Sequence, residues 1–150
     1  MSLRITVSRS LFVARPPEAV WDFTQDYARR CAWDASILEA VVVAAQPAPR
    51  VRIRARGGLR AVLQYQKFDR PSQTSLLMED VRSTVVAGGG GSWSYAAQGE
   101  GTLWTQTNSI VMRPGWWRAL LAPLARGQLE ASTRRSMEKA RTILESSAAG

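Results

Sequence analysis

The sequence contains no histidine, so any proton transfer must be carried by carboxylates, tyrosine, lysine, cysteine or water. That removes Ser/His/Asp and Cys/His nucleophilic mechanisms, histidine-bearing metal sites, and the side chain that most often titrates near neutral pH. The groups best suited to acid–base work are Tyr65, Tyr95 and Asp80. Glu79 and Asp80 are adjacent carboxylates on an expected strand, where neighbours point to opposite faces, so they do not make a catalytic pair. Cys31 is the single cysteine. With no histidine beside it, it reads as an inert small hydrophobe rather than a nucleophile. The glycines at 88–91 lack the Lys-Ser/Thr ending of a phosphate loop and read as a mobile hairpin. Neither a metal site nor a cofactor is expected.

The elements that must position these groups follow from periodicity. At 150 residues and 45% hydrophobic content the chain is the size of one domain with a proper core, and residues 1–150 show no linker or internal repeat. Its start alternates rather than forming an apolar block, and nothing reaches the ~18 apolar residues of a membrane span, so the chain reads as cytoplasmic. Residues 3–14 alternate as a one-faced strand, with room for a bulge at 8–10. Pro16, Pro17 and Glu18 open a short helix with Ala19, Val20, Phe23 and Tyr27 on one side. A second short helix runs from about Tyr27 to Trp33, closed by Asp34. Strands follow at 37–45, 50–56, 59–68, 74–81, 92–97 and 102–113, joined by turns at Gly57-Gly58, 69–72 and 98–101. Consecutive hairpins make these six an antiparallel meander.

The last third, from Pro114 to about Glu145, predicts one long helix. Trp117, Leu120, Leu121, Leu124, Thr133, Met137, Ala140 and Leu144 recur at helical spacings and suggest an apolar stripe. Glu130 with Arg134, Arg134 with Glu138, and Arg141 with Glu145 stand four apart on the other side. Pro123 predicts a kink.

The run Ala14-Arg15-Pro16-Pro17-Glu18-Ala19-Val20-Trp21-Asp22-Phe23, followed by Cys31-Ala32-Trp33-Asp34-Ala35-Ser36-Ile37, resembles the polyketide cyclase/dehydrase and lipid-transport superfamily. This START-like group has the helix-grip fold. Gly91-Ser92-Trp93-Ser94-Tyr95 and Leu121-Ala122-Pro123-Leu124 also match, so the similarity covers nearly the whole chain. It implies an α+β fold in which a curved, seven-stranded antiparallel sheet wraps around the long C-terminal helix, with two short helices after the first strand. A cavity is implied between sheet and helix. Relatives of this shape include lipid carriers, hormone receptors and aromatase/cyclases, and fold alone does not choose among them.

Alternate residues of each strand should line such a cavity. On the last strand the inward set is Trp104, Gln106, Asn108, Ile110 and Met112, with Thr105, Thr107 and Ser109 outside. Trp93 and Tyr95, Leu63 and Tyr65, and Leu76 and Met78 are the matching residues on neighbouring strands. Leu120 and Leu124 represent the helix, and Trp33 stands at the mouth. These side chains either touch a ligand or fill a solid core. Gln106 and Asn108 are the more informative, because buried amides need partners. Trp21 and Asp34 read as packing and turn residues.

A net charge of +8 attracts anions. Arg50, Arg52, Arg54, Arg56 and Arg60 form a basic outer surface. It is either a solvated strand face that discourages edge pairing or a dock for an acidic acyl carrier protein or anionic lipid. Nucleic acid ranks last, because the row lacks interleaved aromatics for base stacking. Three functions stay open. One is a carrier or sensor of a small hydrophobic molecule such as a lipid, polyketide or isoprenoid. Another is a polyketide cyclase or dehydratase acting on a carrier-linked intermediate. The third is an interaction domain with a filled core.

Overall fold

The computed structural model describes residues 3–148. The chain runs β1 (Leu3–Val13), α1 (Pro17–Thr24), α2 (Arg30–Trp33), β2 (Ile37–Ala44), β3 (Arg50–Ala55), β4 (Arg60–Asp69), β5 (Gln73–Arg82), β6 (Val86–Gln98), β7 (Gly101–Met112) and α3 (Arg118–Ala148). All seven strands form one antiparallel sheet in the order β1-β7-β6-β5-β4-β3-β2. The two short helices carry the chain from one sheet edge, β1, to the other, β2. The α+β arrangement expected from the sequence is present.

Period-two alternation decides which side of each strand is buried. Val51, Ile53 and Ala55 of β3 are buried while Arg52, Arg54 and Arg56 are exposed. On β1, Ile5, Val7 and Val13 point inward. Its outer hydroxyls bond across to β7 in three pairs: Thr6 with Ser109 at 2.9 Å, Ser8 with Thr107 at 3.0 Å and Ser10 with Thr105 at 2.7 Å. The β1–β7 register is unbroken from Leu3 to Val13, so the bulge expected at 8–10 does not form. Gly57 and Gly58 both sit at φ 79°, a left-handed conformation that any side chain would strain, and close the β3–β4 turn.

Three further expectations are corrected. The glycines at 88–91 are not a hairpin but part of β6, all four paired with β7 and Gly90 and Gly91 also with β5. A Cβ at Gly89 would lie 2.5 Å from the Ser109 carbonyl oxygen, and one at Gly90 2.6 Å from that of Leu76. Low strand propensity is overridden here because only glycine lets the neighbouring strands come so close. Asp80 has φ 50° and sits where the β4–β5 register shifts. That irregularity defeats the expected opposite facing of Glu79 and Asp80. Both reach Arg50 Nη2, at 3.1 and 4.0 Å.

The third correction concerns α3. Thr133, Met137, Ala140 and Leu144 are buried, but Leu120 is 72% and Leu124 65% exposed. Leu124 and Thr133 are nine positions apart, about 2.5 turns at ~3.6 residues per turn, which places them on opposite sides of one continuous helix. The expected stripe is therefore two stripes out of phase. Among the described residues the predicted pairs along the helix do not form either. Glu138 reaches Arg9 at 3.5 Å, and Glu145 accepts the Ala14 N–H at 2.9 Å, so the helix carboxylates fasten β1 and its exit instead.

Candidate functional site

The interior divides into two clusters. Trp21, Phe23, Trp33, Tyr95 and Trp104 pack with Met137, Ala140 and Leu144. Tyr27, Val51, Ile53, Ala61, Leu63 and Tyr65 form the other, edged by Leu76 and Met78. A cavity of about 150 Å³ lies beside them, between the sheet and the second half of α3. Ile37, Ile53, Leu63, Leu76, Met78, Ile110 and Leu129 supply apolar walls. Arg30, Asp34, Trp93, Gln106, Asn108, Thr133 and Ser136 supply the polar part. Strand alternation puts Gly91 on the same face as Trp93 and Tyr95. A Cβ there would meet Asn108 Oδ1 at 3.1 Å, so the missing side chain leaves part of this space open.

Arg30 is the residue sequence reasoning missed. It is only 4% exposed, and its guanidinium lies 4.4, 5.1 and 4.9 Å from the ring centroids of Tyr27, Trp33 and Trp93. These ring faces offset part of the cost of burying a charge. Nη2 donates to the Thr24 carbonyl at 3.0 Å, Nη1 lies 3.5 Å from Asp34 Oδ2, and Nε has no partner. Desolvation pushes its pKa down, but Tyr27, Tyr65, Asp34 and Tyr95 outweigh that and hold it protonated. A signal was present: Tyr27, Arg30 and Trp33 stand three apart, the spacing that brings side chains together on a helical turn. Asp34 is the turn residue expected, its Oδ1 accepting from Ser36 N at 3.1 Å and Ser36 Oγ at 2.7 Å.

The two amides are linked. Trp93 Nε1 donates to Asn108 Oδ1 at 3.0 Å, and Asn108 Nδ2 donates to Gln106 Oε1 at 2.9 Å and to Thr133 Oγ1 at 3.3 Å. Gln106 Nε2, fully buried, has no partner.

The structure brings Leu63, Met78, Trp93, Gln106 and Asn108 of the sequence candidates together on the cavity wall. Trp33 and Trp104 stand behind it, 5.7 Å apart between centroids, and each packs against Trp93. Met112 is fully buried near the end of β7. Leu120 and Leu124 face away from the sheet. Tyr65 and Tyr95 are clamped outside the cavity by Gln25, which accepts from Tyr65 Oη and donates to Tyr95 Oη, both at 2.8 Å. Tyr27 and Thr24 complete that network at 2.6 and 2.7 Å. Burial pushes Tyr65 well above the usual phenol range and Tyr95 up to about 12. Asp80 lies on the exposed strand surface, away from both tyrosines. Cys31 is exposed, because the α2 turn that buries Arg30 directs its neighbour outward.

Residues 4–145 match the family model described as polyketide cyclase / dehydrase and lipid transport. The chain belongs to this family. Solved structures of the same fold include TTHA0849 from Thermus thermophilus (TM-score 0.80, 17% identity, covering 97% of this chain and 99% of that one). A START superfamily protein from Mycobacterium smegmatis superposes with TM-score 0.76 at 13% identity, covering 94% and 97%. The Zhui aromatase/cyclase from Streptomyces sp. R1128 gives 0.74 at 18%, covering 95% and 94%. No curated protein matches the sequence significantly. Among the described residues no helix is long and apolar enough to cross a membrane, and no cluster of acidic or sulfur ligands could hold a metal.

Proposed function

We propose that this family member binds a small, mainly apolar molecule in the cavity between the sheet and α3. The observation that carries the reading is a space of about 150 Å³ with aliphatic walls and two buried polar donors, on Arg30 and Gln106, that have no partner in the protein. A solid core would leave no such space. Cavities of this size accept a molecule of roughly benzene dimensions, well below the ~300–1,000 Å³ of drug-sized pockets. A lipid, polyketide or isoprenoid would therefore insert one end, unless the first half of α3 moves. Burying ~100–200 Å² of ligand apolar surface at ~25 cal/mol per Å² supplies about 2.5–5 kcal/mol.

A carrier or sensor is favoured over a cyclase or dehydratase acting on a carrier-linked intermediate. The groups suited to proton transfer, Tyr65, Tyr95 and Asp80, do not reach the cavity wall, and both tyrosines are held protonated. Arg54, Arg60 and Arg82 lie directly opposite one another across β3, β4 and β5. Glu39 already meets Arg54 at 3.4 Å; Arg60 and Arg82, facing each other, cost stability unless an anion covers them, which supports docking of an acidic carrier protein or anionic lipid surface there.

Native mass spectrometry of freshly purified protein tests the main reading. A co-purified small apolar molecule, lost in Ile110→Trp, is the expected result. A protein that carries nothing and shows no binding of benzene-sized probes overturns it.

A further inference from the structure

Deepening the proposed function, and resting on it, we infer that the cavity selects its ligand by an acceptor oxygen. The ligand presents a ketone, ester or carboxylate oxygen, with no proton to give, to Gln106 and Arg30. The argument is one of hydrogen-bond polarity. An indole N–H can only donate, so the Trp93 bond requires Asn108 to turn its Oδ1 toward Trp93. Asn108 must then offer Nδ2 to Gln106, which answers with Oε1. Gln106 is left with its NH₂ group buried and unmatched. One donor-only ring thus fixes the orientation of both amides.

The rest of the wall has the same sign. Arg30 Nε is a second buried donor without a partner. Thr133 Oγ1 accepts from Asn108, and Ser136 Oγ accepts the Ala35 N–H at 2.9 Å. Each hydroxyl therefore keeps its own proton to offer. Asp34, the carboxylate on this wall, already accepts twice from Ser36 and faces Arg30. Unmatched nitrogen donors are thus in excess, while Thr133 and Ser136 each keep a proton and one spare lone pair.

A ligand oxygen that only accepts satisfies Gln106 Nε2 and Arg30 Nε without bringing a new unmatched group. An alcohol would accept equally well but must also turn its own proton to a hydroxyl of the wall such as Thr133 or Ser136. An ammonium could accept nothing and would meet the Arg30 charge. The expected order is ketone or carboxylate, then alcohol, then hydrocarbon, with ammonium last. The charge on Arg30 favours a carboxylate, and its Asp34 neighbour at 3.5 Å favours a neutral carbonyl.

Isothermal titration with four ring-matched probes decides: acetophenone, benzoate, ethylbenzene and benzylamine. Acetophenone or benzoate is expected to bind about tenfold or more tightly than ethylbenzene, with no detectable benzylamine binding. Whichever oxygen probe is tighter identifies a neutral or an anionic head. Gln106→Leu should remove that advantage while leaving ethylbenzene affinity within about twofold, and Gln106→Met repeats the test if leucine unfolds the protein. Ethylbenzene binding as tightly as both oxygen probes, or an advantage untouched by either variant, overturns the acceptor rule and leaves the cavity reading standing. Failure of all four probes overturns both.

Discussion

The two halves of α3 are built from similar residues and are held very differently. From Leu129 onward the helix buries Thr133, Met137, Ala140 and Leu144 against the sheet, and its carboxylates reach Arg9 and the Ala14 amide. Before that point it presents Leu120, Leu121 and Leu124 to the outside, and its backbone passes through Pro123. A proline there cannot give the amide hydrogen that the Ala119 carbonyl would otherwise accept. Apolar content is thus no guide to which half is anchored. Phase relative to the sheet decides.

The comparison can be broken in four places. Met137→Ala should cost about 2–5 kcal/mol in urea unfolding, because it empties a fully enclosed position. A cost below about 1 kcal/mol would mean that the second half is not the anchor. Alkaline unfolding probes the same half through Tyr95, which shares its cluster with Met137 and Leu144. The folded protein keeps the Tyr95 proton up to about 12, whereas an unfolded phenol loses it near ~10. Stability should therefore be steady below pH ~10 and fall on the order of 2 kcal/mol between there and ~12. Tyr95→Phe should flatten part of that slope. An unchanged slope in this variant would remove Tyr95 from the account.

Pro123→Ala should add about 1–3 kcal/mol to the first half, read as slower hydrogen exchange over residues 118–128. No slowing would show that the proline already costs nothing there. Leu124→Ala should lie within about 0.5 kcal/mol of the parent. A larger loss would reveal that this leucine is covered in solution.

The order of elements and the facing of most strands were legible because period-two and helical patterns report burial directly. Val51, Ile53 and Ala55 alternate with arginines, and no other arrangement buries them all. Three features were harder for separate reasons. The glycines at 88–91 looked like a loop because propensity counts side chains, whereas close approach between strands selects for their absence. Leu124 and Thr133 looked like one stripe because each half is regular, and only the nine-residue gap shows the change of phase. Arg30 was passed over because charge normally marks solvent. Its setting depends on rings from Tyr27, Trp33 and Trp93, of which the last is far away in sequence. Gln106 and Asn108 could be picked as an informative pair, but their direction depends on Trp93, which only the folded sheet brings beside them.

The hydroxyl pairs joining β1 to β7 carry a consequence for assembly. They link positions 95 to 103 residues apart, and among the described residues β7 is the only strand beside β1. During synthesis β1 therefore leaves the ribosome with no partner to zip against until nearly the whole domain has followed it. A high-contact-order step of this kind is slow, and the apolar side of β1 stays available to chaperones throughout that wait.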